Sequence, residues 1–381
     1  MSRHYPGSFF ITCNNQIPEL ELLPLGIFEF QDDIGDLKIL PNFLDIIQEI
    51  APLTFKNFKK DFLKAAVIEE EFTTHPPYDW YDSILLPPTG CDVNLGAVSR
   101  DDPKNITVSK LFWKKLSKTN QQFLLFEVFI RNYLTINLSS SDYRRFSLYI
   151  ATGKFRDFTD EQKIIFLRYF GIKEFNNFGV SIDINRELIF YEDTNTLRAG
   201  YPFLEARFEN AVLNPTKFVS FRKNGAVSGV STTTPFTRVV NDQTLSFVTP
   251  ADQYPTLSED PRFYPRTSFF PNGDVESSLM LPVDHLFNIV TEIKKPLFGG
   301  KIFFKINFFP GYRPSFFQSY PGKIVLFNRL YETSYILWWE NGNPKEVGFS
   351  KKYSFNLPNE GLTDVLYLFL NEDGKVTGRG L

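Results

Sequence analysis

The sequence predicts an α+β protein, a helical N-terminal domain followed by a β-rich domain built from antiparallel hairpin repeats. Three observations carry this reading. The apolar period changes from 3.6 residues to two near residue 180. The second half then repeats a short pattern centred on Asn-Gly or Asp-Gly. Aromatic residues make up 17% of the chain, 42 of them Phe, a load that favours sheet, where rings pair across strands.

Residues 1–40 read as an extended segment. Pro18, Pro24, Gly26 and Gly35 are scattered through it, around a short strand expected at Leu25–Phe30. The opening MSRHYPGSFFITCNN sets basic or near-basic residues, a short apolar piece (Phe9–Ile11) and then Cys13 in the order of a bacterial lipoprotein signal's end. Cys13 is therefore the candidate lipid-attachment residue. The apolar piece is shorter than a signal needs, and Thr12 stands where Gly or Ala is usual, so the competing reading is a tail with an ordinary cysteine.

Residues 41–178 read as a mainly helical domain. Asn42–Ile50 places Phe43, Ile46, Ile47 and Ile50 on one face, and Phe55–Phe72 continues the pattern with Phe58, Phe62, Ala65, Ala66 and Ile68. His75–Gly90 holds two Pro-Pro pairs and must be a loop. Helix is expected again over Val108–Leu116, over Asn120–Thr135 behind the capping residues Ser117–Thr119, and over Ser141–Thr152, ended by Gly153. Asp157–Phe170 shows the fullest helix grammar, with Thr159 as N-cap, acidic residues in the first turn and Gly171 as the stop.

After a boundary placed at Phe175–Gly179, residues 179–381 form the β-rich domain. Ser181–Tyr191 alternates as one strand should. The repeat is clearest in Phe221–Val227, Phe269–Val275, Trp338–Pro344 and Leu370–Val376, with Phe190–Leu197 as a copy that has lost its glycine. Each is expected to be a hairpin whose Asn-Gly supplies positive φ at both turn positions and whose flanking bulky residues share one face. Lys301–Phe309 and Lys323–Phe327 fill the intervals as strands, and Asn241–Arg266, with four prolines, is expected to be a long polar loop.

Several function classes lose ground. A formal net charge of -3 leaves no electrostatic footprint for nucleic acid. No stretch approaches the apolar length of a transmembrane helix. Cys13 and Cys91, the two cysteines, lack zinc-ligand spacing, and one bridge between them stays open. The three histidines, His4, His75 and His285, lie in segments of different character, so no metal site is assigned. Nucleophile elbows and phosphate-binding glycine loops are missing, so no catalytic residue and no cofactor are assigned.

One motif imitates chemistry. Phe123–Asn132, FLLFEVFIRN, lodges Glu127 in an apolar helix, where a zincin keeps its general base between two histidines. Phe126 and Ile130 flank it instead and neither binds a metal. The favoured expectation is an internal ion pair of Glu127 with Arg131, four residues on, or with Arg144 or Arg145 of the next helix. The competing one is a polar site formed by Glu127, Arg131 and Arg145, which with His75 would serve a hydrolase.

The run Gly90–Asn132 followed by Ser139–Ile150 resembles a group of uncharacterised bacterial envelope proteins with a degenerate zincin-like, HExxY-type helix. Gly90, Cys91, Trp113, Glu127, Arg131, Ser141 and Arg145 carry the likeness. Phe126 and Ile130 depart from it at the histidine and tyrosine positions. In that group the C-terminal part carries hairpin repeats similar to antitoxin-like and MORN-like ones. The resemblance implies a secreted or lipid-anchored protein that keeps the helix as scaffold.

Trp338 and Trp339, with Tyr331 and Tyr335, form the densest aromatic cluster. These are the candidate partner-binding aromatics, and core packing is the alternative for them. The expected function is a non-enzymatic, envelope-associated binding or scaffold protein that presents its hairpin surface to a protein or glycan partner. A hydrolase with an interdomain site using Glu127, and a cytoplasmic antitoxin-like binding protein, are the alternatives.

Overall fold

The computed structural model describes residues 7–13, 39–71, 91–99, 105–131, 133–134, 136, 138, 140–240, 243–249, 262, 267–280, 289–290, 304–326, 329–357 and 360–380. The expected strand at Leu25–Phe30, the Pro-rich loop His75–Gly90 and the three histidines lie outside them. The fold is α+β, with a large antiparallel sheet of hairpin strands. The chain divides into two compact units, residues 1–176 with 183–185 and 192–196, and residues 177–182, 186–191 and 197–381.

The first unit contains β1 (Gly7–Cys13), α1 (Phe43–Ile50), α2 (Phe58–Lys64), β2 (Ala66–Glu70), β3 (Cys91–Ser99), β4 (Asn105–Ser109), α3 (Lys110–Trp113), α4 (Lys118–Ile130), α5 (Ser140–Ala151) and α6 (Asp160–Tyr169). Phe58 is the hub of its aromatic core, with ring centroids 4.9 Å from Tyr133, 5.3 Å from Phe129 and 5.7 Å from Phe126. A second cluster forms where Phe166 of α6 meets Phe146 and Tyr149 of α5. Thr159 caps α6 as expected, with Gln162 returning the hydrogen bond in a capping box.

Helices share this unit with a four-stranded sheet, ordered β1-β3-β4-β2. Two helix expectations fail on it. The pattern read over Phe55–Phe72 breaks after Lys64, and Ala66–Glu70 becomes β2, parallel to β4. The run Ala-Val-Ile is as suited to strand as to helix, and the non-local pairing with β4 decides it. Likewise Val108 and Ser109 belong to β4, so only Lys110–Trp113 is helical.

Strands continue with β5 (Glu174–Asn177), β6 (Val180–Asp183), β7 (Leu188–Phe190), β8 (Leu197–Gly200), β9 (Arg207–Phe208), β10 (Ala211–Val212), β11 (Val219–Phe221), β12 (Val227–Val230), β13 (Phe236–Val240) and β14 (Gln243–Val248). They close with β15 (Thr267–Phe269), β16 (Val275–Met280), β17 (Ile289–Val290), β18 (Phe304–Phe309), β19 (Arg313–Leu326), β20 (Arg329–Trp338), β21 (Pro344–Leu357), β22 (Gly361–Leu370) and β23 (Val376–Gly380). Among the described residues the large sheet runs β23-β22-β21-β20-β19-β18-β16-β15-β12-β11-β8-β7, with β13–β14 joined through β16 and β17 through β19. Spatial order thus follows chain order almost throughout, as a meander of hairpins should.

Two expectations change here. Ser181–Tyr191 is not one strand, because Asp183 accepts a hydrogen bond from the Asn185 amide at 3.0 Å and turns the chain between β6 and β7. Part of the supposed loop Asn241–Arg266 is strand β14, paired with β13.

The four full repeats share one geometry. The glycine amide donates to the carbonyl three residues back, Gly225 to Arg222 at 2.8 Å, Gly273 to Phe270 at 3.0 Å, Gly342 to Trp339 at 3.0 Å and Gly374 to Asn371 at 2.9 Å. Only the glycine of each pair takes positive φ, which corrects the two-residue turn expected from Asn-Gly. The Asn or Asp before it does not; in the three Asn-Gly copies the asparagine side chain accepts the amide two residues on, as Asn224 does from Ala226 at 3.1 Å. This is the longer loop with a bulge at the glycine, and a register shift accompanies every copy. In the copy without glycine, Asn195 takes positive φ instead.

Each repeat begins with a large residue opposite its last: Phe221 with Val227, Phe269 with Val275, Trp338 with Pro344 and Leu370 with Val376. All four leading residues are buried. The repeat is therefore a device that closes a hairpin and sends one bulky side chain into the core.

Candidate functional site

Cys13, the candidate lipid-attachment residue, ends β1, and two other places hold the remaining residues singled out by the sequence. The first is α4, whose N-terminus is capped by Ser117, its hydroxyl accepting from the Asn120 amide at 3.2 Å. Phe123, Leu124, Phe126, Val128, Phe129 and Ile130 are all buried, so the C-terminal half of α4 is apolar round its circumference and belongs to the core, while its first turn is polar and open. Glu127 sits in the middle of it, with none of its surface exposed.

The Glu127 carboxylate is held from two sides. Arg144 of α5 places Nε 2.7 Å from Oε2, and Arg131, the next turn of its own helix, places Nη2 3.8 Å from Oε1. Arg131 also stacks over Tyr143, and Arg144 over Phe123, so the guanidinium planes are packed as well as paired. Burial pulls the Arg131 guanidinium below its ordinary pKa, and the charge of Glu127 opposes that shift. Arg145, one residue beyond Arg144, pairs with Asp142 at 3.7 Å. Among the described residues no group of His, Cys, Asp and Glu is arranged to hold a metal, and His75 lies outside them. What α4 offers is a buried ion pair that ties it to α5.

The second place is the sheet from β19 to β23. A register irregularity between Thr333 and Tyr335 changes which residues of β20 face the core. Tyr331 and Thr333 are buried before it, Ile336 and Trp338 after it. Two of the four candidate aromatics, Tyr331 and Trp338, are thereby core residues. Trp339 lies at the hairpin end, where its indole N–H donates to the Leu370 carbonyl at 3.0 Å and Lys345 covers its ring.

Tyr335, next to buried Ile336, is only partly buried and stands on the other face of β20. Its row across the sheet alternates aromatic and glycine: Tyr335 pairs with Gly348, Gly348 with Tyr367, and Tyr367 with Gly380. The rings lie over the glycines. A β-carbon on Gly348 would come within 2.3 Å of Tyr335 Cε1, and one on Gly380 within 2.8 Å of Tyr367 Cδ2. Phe369, 38% exposed, lies in the same way beside Gly378. Phe316 of β19 extends the line, its centroid 6.5 Å from that of Tyr335, which is 6.2 Å from that of Tyr367.

Polar groups border these rings. The Tyr335 hydroxyl donates to Glu346 Oε1 at 2.5 Å, which fixes the ring in its plane. Burial, and after it the neighbouring carboxylate, pushes the Tyr335 phenol well above its ordinary pKa, so it stays protonated far into the alkaline range. Sequence reasoning found Tyr335 but missed Phe316, Tyr367 and Phe369. The available signal was glycine inside strands, at 348, 378 and 380, which marks close approach of another group.

No protein-family model matches this sequence, and a search of curated proteins returned no match.

Proposed function

We propose that the chain is a non-enzymatic binding protein of the cell envelope, and that the aromatic row of β19 to β22 contacts a glycan. The observation that carries this reading is the alternation of ring and glycine along Tyr335–Gly348–Tyr367–Gly380. Rings lying over glycines are held against the sheet, and Tyr335 and Tyr367 are both partly exposed. A flat, rigid aromatic surface suits the C–H face of a sugar ring, with little side-chain entropy to lose on contact. Tyr335 and Glu346 supply the polar rim that a sugar hydroxyl needs. The first unit, with its sealed Glu127, serves as scaffold in this proposal.

Affinity electrophoresis through gels containing soluble polysaccharides, including solubilised peptidoglycan, tests it. Retardation by at least one polymer is expected, and Tyr367→Ala should lower the affinity at least about tenfold, some 1.4 kcal/mol. A wild-type protein that no polymer retards would remove the glycan reading. Equal retardation of wild type and Tyr367→Ala would move the contact away from this row.

A further inference from the structure

The chain has two cysteines, far apart in sequence, and the fold sets them against each other. In the antiparallel β1–β3 ladder, Cys13 at the end of β1 is the register partner of Cys91 at the start of β3. The match depends on the whole ladder, from Gly7 opposite Val98 to Thr12 opposite Asp92, with one irregularity after Ser8. A slip of a single residue would bring Cys13 opposite Asp92 instead. Residues directly opposed in an antiparallel pair have Cα atoms about 4.5 or 5.5 Å apart, according to their place in the hydrogen-bond pattern. Both separations fall in the range of about 4.4–6.8 Å that a disulfide spans.

We propose that Cys13 and Cys91 form a cross-strand disulfide, so that this end of the β1–β3 ladder is a redox modification site. With oxidised glutathione as the oxidant, the thiolate of one cysteine attacks a glutathione sulfur and releases one glutathione thiolate. The second cysteine thiolate then attacks the protein sulfur of the mixed disulfide and releases the other. Two protein thiols are oxidised to one disulfide, one glutathione disulfide is reduced to two thiols, and the two protons pass to the departing glutathione thiolates.

The position gives the bond a task. Among the described residues β1 is an edge strand with β3 as its neighbour, and the bridge closes a loop that contains α1, α2 and β2. Closing so long a loop restricts the unfolded chain and fastens the terminal strand to the sheet. The bridge persists in an oxidising compartment and opens in a reducing one. It also excludes a lipid on Cys13, since a lipid-bearing N-terminal cysteine requires removal of the residues before it, and with them the rest of β1.

The test is thiol accounting on the full chain. The folded protein is equilibrated with oxidised glutathione, denatured, treated with a maleimide, and examined by intact mass and peptide mapping. Expected are loss of both maleimide-reactive sites, a mass lower by two hydrogens than the reduced chain, and recovery of the Cys13 and Cys91 peptides as one cross-linked species. Cys13→Ser and Cys91→Ser should each end with a single glutathione cap, because no second thiol displaces it. Two reactive sites, or two glutathiones on the wild type, would overturn the proposal. So would a lipid on Cys13 in protein from its native source. The wild-type result decides even if a variant fails to fold.

Discussion

Glu127 on α4 and Tyr335 on β20 are both polar-tipped residues in strongly apolar surroundings, and each interrupts a run that would otherwise be plain core. Their fates differ. Glu127 is closed in on every side and its carboxylate is consumed by Arg144 and Arg131. Tyr335 lies at a sheet face, with its hydroxyl spent on Glu346 and its ring still partly open. Resemblance to a catalytic motif therefore says less about function than the direction in which a side chain leaves the backbone. That direction is set by packing on a helix and by register on a sheet.

The comparison is broken most directly at Glu127. Glu127→Ala strips the carboxylate from two buried guanidinium groups and should cost about 3–5 kcal/mol, read from urea unfolding. A loss below about 0.5 kcal/mol would show that the ion pair is not a structural element, and would return α4 to the search for a site.

A smaller effect separates two copies of the same turn. Gly342 has open space where a β-carbon would stand, so Gly342→Ala should cost about 1 kcal/mol for its left-handed backbone alone. At Gly225 the same atom would lie 1.7 Å from the Phe178 ring, and Gly225→Ala should cost more than about 2 kcal/mol. Equal losses would mean that the repeat glycines serve only the turn.

On the open face the order of effects reverses. Tyr367→Ala should lower stability by about 1 kcal/mol or less, the scale of one cross-strand pair, while abolishing most of any glycan binding. Proportional loss of both would make the row a structural ladder.

The smallest effect is a titration. Tyr133 donates to Asp61 at 2.9 Å, and burial together with that carboxylate pushes its phenol up to about 12. A raised folded pKa stabilises the protonated form. The contribution is complete below the unfolded value of about 10 and is lost as pH rises from there toward 12. Tyr133→Phe should remove one late component, near pH 12, from the tyrosinate absorbance titration and leave any later one in place; an unchanged curve would reassign it.

How much of this could be read in advance depends on whether the decisive contact is local. Thr159, Gln162 and Gly171 lie within one helix and its ends, so the cap and the stop of α6 were legible, although Asp157, expected to open it, closes a separate 3-10 turn, Lys154–Asp157. The i, i+4 relation of Glu127 and Arg131 was legible too, whereas the choice of Arg144 over Arg145 depends on how α5 is rotated against α4. Ala66–Glu70 was misread because its partner, Asn105–Ser109, is remote in sequence. The Asn-Gly pairs marked the hairpins correctly but not their loop type, which follows from the pairing of residues outside the turn. Of the four aromatics, Tyr331 and Trp338 went to the core because one extra residue in β20 changes the face that follows. Tyr367 joined Tyr335 through three strands of register, which no local pattern records.

The near coincidence of spatial and chain order in the large sheet has a consequence for biosynthesis. A strand emerging from the ribosome finds its neighbour already made, and each turn brings its own two strands together without waiting for distant chain. Sheets assembled this way have short-range contacts for their size and expose, at any moment, a single growing edge. The growing edge moves along the sheet from β7 toward β23, so each new hairpin docks on strands made just before it.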